Sequence, residues 1–386
     1  MNLTKNKIRI LAFMAVLAMF SVSCYSAEFF LRADTTTMTM PDGKAVLMWG
    51  FALDSAFNAN DGVVTVPGPM LTVPAGDSNL TIHLQNKLTE PVSIMINGQV
   101  TAMTPVRNPD GRIRSFTHET LPGNAAPVDY VWTNFQPGSY IYQSGSHPAV
   151  QVQMGLYGGA KKDYAQGAAY QGVAYDEEAT LFFSEIDPAL HDAIQNDEYG
   201  VGKSMTSTMG YVAKYFLLNG KPYTAGLPAI PSGKDTQKIL LRCFNASLES
   251  RTPILNNLYA NVVAEDGKLY PYAAQQYSIQ LSAGKTKDAV ITPAKPGKYP
   301  VYDRQMGLSN GTAGSGGMFN YLAVGCLSDI NGDTNVNNVD LAILGSEFGR
   351  TNCSVGDPCQ ADLNGDGSVN TADLALMMGT WLSDCP

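Results

Sequence analysis

Between residues 28 and 325 apolar and polar side chains alternate in short runs, the period of strands with one buried face. FFLRADTTTMTM, the turn PDGK and AVLMWGFAL predict a hairpin. TVPGPMLTVPAGDSNLTIHLQN and PVSIMIN continue the pattern, followed by YVWTNFQPGSYIYQS and QVQMGLYGGA. A second round opens at ATLFFSEID and runs through YFLLNGKPY, KILLRCFNAS, NVVAEDGKLY, YSIQLSAG and AVITP to YLAVG. Gly, Pro, Asn and Asp clusters separate the runs, as turns require. DPALHDAIQND, between the rounds, predicts a short helix capped by Asp187 with Pro188 at its first position. The period changes again near the end, where LAILGSEF and LALMMGTW read as apolar helical stripes. The pattern therefore predicts a mainly β chain. Two Greek-key sandwiches cover 28–170 and 171–325, with the boundary in QGAAYQG, and a small α-helical module covers 326–386.

Composition sharpens this outline at the two ends. Charged residues make up only 15% of the chain, and no basic patch recommends nucleic acid. Of the net charge of −9, residues 327–386 carry all but one unit, through eight Asp and one Glu against one Arg. Residues 1–27 read as an export signal: Lys5, Lys7 and Arg9 precede the apolar run ILAFMAVLAMF, and small residues follow. That run is short for a membrane span, so no transmembrane segment is expected after signal removal. Cys24 in SVSC offers a second reading, a lipid-modified N-terminus, although Ser21 stands where a lipoprotein signal favours Leu. Export permits disulfides, and four of the six cysteines frame the acidic end of the chain. The expected pairs are Cys353–Cys359 and Cys326–Cys385, leaving Cys243 as a buried thiol in a strand.

The acidic end writes one loop twice, DINGDTNVNNVD from Asp329 to Asp340 and DLNGDGSVNTAD from Asp362 to Asp373. Oxygen-bearing side chains stand at loop positions 1, 3, 5, 9 and 12, with Gly332 or Gly365 at position 4. This spacing suits two hard cations such as Ca²⁺, which gather six to eight oxygens from one compact turn.

Four groups of motifs resemble known families. PGPMLTVPAGDSNLTIHLQNKLTEPVSIMING is similar to the first cupredoxin domain of multicopper oxidases, a PGP turn and strand, a Gly-Asp turn, and a strand leading to a copper-binding His-x-His-Gly. PGSYIYQSGSHPAVQVQMGLYG resembles the second signature of that family, Pro-Gly-x-Tyr leading to His-x-His and a GLYG strand. FLLNGKPY, ILLRCFNASLES and VVAEDG resemble a further cupredoxin domain. Residues 327–386 resemble a type I dockerin, a duplicated calcium loop-helix that binds a cohesin domain on a scaffold or cell surface. By that resemblance Asp329, Asn331, Asp333 and Asp340 ligate one ion through side chains, Asn335 by its carbonyl and Asn337 through water. Asp362, Asn364, Asp366 and Asp373 do the same for the second, with Ser368 and Asn370 in the lesser roles. Leu341, Leu344 and Phe348 are expected to pack on Leu374, Met377 and Trp381.

The copper ligands of the family are replaced. The first His-x-His-Gly reads Met95-Ile96-Asn97-Gly98, the second His-x-His reads Gln143-Ser144-Gly145, and Tyr302, Asp303 and Arg304 stand where a terminal domain shows His-Cys-His. With four His in the chain, a four-copper centre lacks its imidazoles, and copper is not expected. His147, two residues past the second motif, is the candidate for a reduced copper site. His83, His118 and His191 are expected on solvated faces, and Met38 and Met40 on one packed strand face. No GxSxG, HExxH, P-loop or dinucleotide motif appears. The leading expectation is a secreted, non-enzymatic cupredoxin protein tethered through calcium and cohesin. A copper oxidoreductase using His147 or a partner subunit is the second, and an accessory polysaccharide-binding protein the third.

Overall fold

The computed structural model describes residues 26–100, 104–314, 316–353, 357–383 and 385. The expected export signal up to residue 25, with Cys24, lies outside these residues. In chain order the first sandwich contains β1 (Ser26–Thr39), β2 (Ala45–Asp54), β3 (Gly68–Val73), β4 (Asn79–Asn86) and β5 (Met95–Ile96). The small hairpin β6–β7 (Val106–Arg107, Ile113–Ser115) comes next, then β8 (Val128–Thr133), β9 (Gly138–Gln143), helix α1 (Pro148–Met154) and β10 (Tyr157–Lys162). A hairpin, β11–β12 (Ala168–Tyr170, Val173–Ala174), occupies the stretch QGAAYQG. The second sandwich runs from β13 (Glu177–Ile186) through α2 (Pro188–Gln195), β14 (Tyr215–Leu218), β15 (Ile230–Lys234), β16 (Ile239–Asn245) and β17 (Pro253–Leu255). It ends with β18 (Ala260–Glu265), β19 (Lys268–Gln276), β20 (Thr286–Ile291), β21 (Gly297–Asp303) and β22 (Phe319–Gly325). Two helices, α3 (Asn338–Glu347) and α4 (Thr371–Gly379), make the terminal module.

The predicted hairpin forms as β1–β2, closing at Thr39 opposite Ala45. The first sandwich packs the sheet β2-β1-β4-β8 on the sheet β3-β10-β9-β5. The second repeats it strand for strand, β14-β13-β16-β20 on β15-β22-β21-β17, and extends the larger sheet with β18 and β19. Even the parallel pairs recur, β1 with β4 and β3 with β10, then β13 with β16 and β15 with β22. A polar detail recurs as well. Asn86, at the end of β4, is buried and donates to the carbonyls of Glu90 and Thr120 while accepting from Leu88 N. Asn245, at the end of β16, donates to Glu249 and Leu281 and accepts from Ser247 N. Each asparagine satisfies the backbone of the loop leaving its strand, which a buried loop requires.

Each sandwich has its own core, one centred on Leu31, Phe51, Leu80 and Trp132, the other on Leu181, Leu241, Ala289 and Leu322. The two are also joined by apolar contacts. Ile141 and Val152 meet Phe182 and Phe244, whose rings stack 5.0 Å apart, and Met40 and Met48 meet Ile186 and Leu217. Met38 packs on the same cluster, so the alternating methionines form a packed face.

A buried polar knot completes the junction. β16 is buried along its whole length, and Arg242 at its centre is fully enclosed. Its Nε donates to Glu178 at 2.7 Å, Nη2 to Asp163 at 2.5 Å and Nη1 to Ser139 Oγ at 3.1 Å. Ser139 in turn donates to Asp288 at 2.6 Å, and Tyr170 donates to the other oxygen of that carboxylate. Burial pushes the Asp288 carboxyl above its usual range, opposed by the Arg242 charge and these donors.

The helix after β13 starts as predicted, with Ala189 N donating to Asp187 Oδ1 at 2.9 Å and proline in the first turn. His191 on it is not solvated. The helix lies against β2, and His191 is buried with Nδ1 donating to Leu47 O at 2.6 Å.

Candidate functional site

The two acidic loops fold alike, residue by residue. Gly332 and Gly365 adopt φ of 74° and 69°, with open space around them, so the left-handed turn is what selects glycine. Asp329 Oδ1 accepts from Gly332 N and Asp333 N, and Oδ2 from Thr334 N. Asp362 accepts from Asp366 N and Gly367 N. Asn331 and Asn364 each accept from the backbone two residues on and donate to Asp333 or Asp366 at 2.9 Å. Asn335 N and Ser368 N donate to those same carboxylates at 2.9 Å. Asn337 and Asn370 cap α3 and α4, and Asp340 and Asp373 close a capping box in each helix. Asp340 Oδ1 also accepts from Ile330 N and Asn331 N, and Asp373 Oδ1 from Leu363 N and Asn364 N, so both buried carboxylates are tied back to the start of their loops.

The donor chemistry fits a hard cation. Each loop brings three carboxylates with amide, hydroxyl and carbonyl oxygens, without thiolate or imidazole. None of these six carboxylates has an ion-pair partner among the described residues. Among the described residues no three acidic, His or Cys side chains converge closely enough to hold a metal, and the loop carboxylates accept backbone N–H and Asn amide hydrogen bonds. Hydrogen bonds from Asn331 and the Asn335 backbone hold the Asp333 carboxyl below its usual range.

The module closes by cross-bracing. Val336, at position 8 of the first loop, exchanges backbone hydrogen bonds with Leu382 and Ser383 beyond α4. Val369, at position 8 of the second, does so with Gly349 and Arg350 beyond α3. Both valines are fully buried with Leu344 and Met377, while Leu341, Leu374 and Trp381 pack around them. Phe348 departs from expectation: it ends α3 with 49% exposure and stays outside this core. Cys326–Cys385 and Cys353–Cys359 are bonded, and Cys243 is a free buried thiol, pushed up to about 12 by burial.

The two vacated copper motifs of the first sandwich do come together, with Met95 opposite Gln143 across β5 and β9. What fills the corner is amide, thioether and hydroxyl. Asn97 Nδ2 lies 3.4 Å from Gln143 Oε1, and a Cβ on Gly145 would already stand 3.0 Å from Ser93 Oγ. Ser146 donates to Glu119 at 2.8 Å and to Ser93 at 3.1 Å, Ser93 contacts Ser115 at 3.0 Å, and Ser144 donates to Gln151 at 2.6 Å. The strand-for-strand repeat puts Asp303, at the end of β21, at the corner equivalent to Gln143. Asp303 is buried, accepting from Arg251 Nη1 at 3.1 Å and Thr252 N at 2.9 Å, and Arg251 also pairs with Glu185. Tyr302 is half-buried and Arg304 exposed, so the three do not form one site.

The histidines are dispersed. His147 is exposed at the start of α1 with φ of 39°. His83 is half-buried, bonded to Asp129 Oδ1 at 2.7 Å and stacked on Phe30; His118 donates to Asp129 O at 3.0 Å and stacks on Tyr130. These two are therefore partnered rather than simply solvated.

Residues 58–161 match the multicopper oxidase family, and residues 327–380 match the type I dockerin domain. Among solved structures, a blue copper oxidase from Nitrosomonas europaea is similar with a TM-score of 0.61 at 17% identity, covering 78% of this chain and 86% of that one. A copper nitrite reductase from Nitrosomonas europaea gives 0.56 at 18% identity, covering 78% and 94%. The multicopper oxidase mgLAC gives 0.59 at 19% identity, covering 78% and 86%. No curated protein matches the chain. At these identities the structural neighbours establish the fold. The class is a cupredoxin sandwich protein with a calcium-loop appendage. In particular, the chain carries a multicopper-oxidase-type cupredoxin domain followed by a C-terminal type I dockerin domain. A type I dockerin implies calcium binding and anchoring through a cohesin. No helix among the described residues is long and apolar enough to cross a membrane.

Proposed function

We propose that this is an exported, non-catalytic cupredoxin protein, held on a cohesin-bearing scaffold or surface by a calcium-loaded dockerin. The observation that carries the reading is the chemistry of the two equivalent corners. Met95, Asn97 and Gln143 with a chain of serines occupy one, and an arginine-locked aspartate the other. Thioether and amide groups hold oxidised copper poorly, and a carboxylate already neutralised by a guanidinium is a weak ligand.

In the dockerin, Asp329, Asn331, Asp333 and Asp340 would hold one calcium ion with the Asn335 carbonyl, Asn337 acting through water. Asp362, Asn364, Asp366 and Asp373 would hold the second, with Ser368 and Asn370 in the corresponding places. The ion would supply the positive charge that the six unpaired carboxylates lack, and so stabilise a module with a small core.

Metal analysis of the full chain after incubation with copper and dialysis tests the reading. Two calcium ions and no copper are expected; stoichiometric retained copper overturns the non-catalytic assignment. EDTA is expected to release hydrogen-exchange protection over 326–386 and to leave both sandwiches protected. Unchanged exchange in that segment overturns the calcium assignment.

A further inference from the structure

A cleft of about 340 Å³ opens where β2 and α1 of the first sandwich face the segment that follows α2 of the second. We propose that it binds a small organic cation, a primary or quaternary ammonium compound with a compact apolar body. Trp49 and Tyr199 line it with aromatic surface, Glu90 and Asp197 supply carboxylates, and no Lys or Arg lies among the lining residues. Aromatic faces and carboxylates attract an ammonium group together and repel anions. The Glu90 carboxylate has no ion pair or hydrogen bond among the described residues. Among the described residues Asp197 pairs with Lys203, whose Nζ lies 3.0 Å from Oδ2 and 2.6 Å from the Asp197 carbonyl, on exposed surface where such a pair is weak.

Thr89, His147 and Tyr199 also place donors in the lining, so a neutral sugar is the competitor that the test must reject. Gln151 is the buried amide of the cleft, and both its ends are spent: Oε1 accepts from Ser144 at 2.6 Å and Nε2 donates to Pro91 O at 2.9 Å. The volume is at the lower end of small-molecule pockets, roughly 300–1,000 Å³.

The test is calorimetric titration of the calcium-loaded full chain with choline, with its neutral isostere 3,3-dimethylbutan-1-ol, and with cellobiose. Saturable choline binding is expected, at least about tenfold tighter than the isostere. Glu90→Gln changes an exposed side chain without altering its shape and is expected to weaken choline about tenfold. Tyr199→Leu, checked for folding by circular dichroism, is expected to weaken choline and the isostere alike. Absence of choline saturation, equal affinity for the isostere, a Glu90→Gln variant that binds as the wild type does, or tighter binding of cellobiose each overturns the proposal.

Discussion

The buried imidazole of His191 makes the stability of the joined sandwiches sensitive to mild acid. It lies on α2 of the second sandwich and donates from Nδ1 to Leu47 O on β2 of the first, so it clasps one to the other in its neutral form. Desolvation by burial holds its pKa below the usual histidine value of 6.5, against opposing backbone contacts at Leu47 and Gln153. In the unfolded chain the ring protonates near its ordinary value, whereas the folded ring does not. Between those two pKa values the unfolded state binds more protons, so stability falls as pH falls through about 6.5. For one such group the loss is at most about 1.4 kcal/mol per pH unit below 6.5. Urea unfolding between pH 5 and 7.5, in saturating calcium and followed by fluorescence of the buried Trp132, measures this directly. His191→Gln keeps a donor for Leu47 and removes the titration. Wild type should lose stability with acid and the variant should not, the two curves diverging below pH 6.5. Parallel curves would refute the reasoning.

Three further perturbations test the framework. Arg242→Met leaves Asp163 and Asp288 without their guanidinium inside the junction and Glu178 with Lys161 alone, and should cost about 3–5 kcal/mol in the same urea assay; a loss under 1 kcal/mol would mean that the knot relaxes freely. Thr334 holds φ of 70° where the second loop has Gly367 at 86°, so Thr334→Gly should stabilise the terminal module by about 0.5–1 kcal/mol, read from its melting temperature in calcium. Replacing both Cys326 and Cys385 by Ser opens a closure spanning 59 residues and should cost the module about 4 kcal/mol, measured by hydrogen exchange over 326–386.

Most of the β architecture was legible because strand alternation and turn residues act locally. The β1–β2 hairpin, the Asp187 cap and both disulfides follow from nearby residues or from the frame they close. The doubled acidic loop was equally plain, since its positions repeat in one register. Less legible was whatever depends on how elements dock. His191 reads as polar on a short helix, and only the packing of that helix on β2 buries it. Val336 and Val369 look like spacers inside acidic loops, yet they anchor the dockerin core through bonds to the opposite repeat, while Phe348 falls outside it. QNKLTEP and FNASLES each carry a strand-ending Asn with Glu four residues on. That recurrence was available to sequence reasoning and marks the duplicated clasp of Asn86 and Asn245.

The join between the second sandwich and the dockerin has a mechanical consequence. β22 ends at Gly325 and the disulfide-bonded Cys326 follows directly, so there is no spacer. Asp235 Oδ1 accepts from Leu327 N at 2.6 Å, and Lys234 Nζ donates to Asp329 O at 3.1 Å, at the root of the first loop. A dockerin on a long Gly/Ser tether would let its cargo sweep a wide volume around the anchor point. Here the plug is mounted as a bracket, so a tug on the anchored end passes straight into the sheet of β15 and β22 rather than being absorbed by slack chain. The sandwiches would stand off their support in a fixed attitude, like a fitting bolted to a wall.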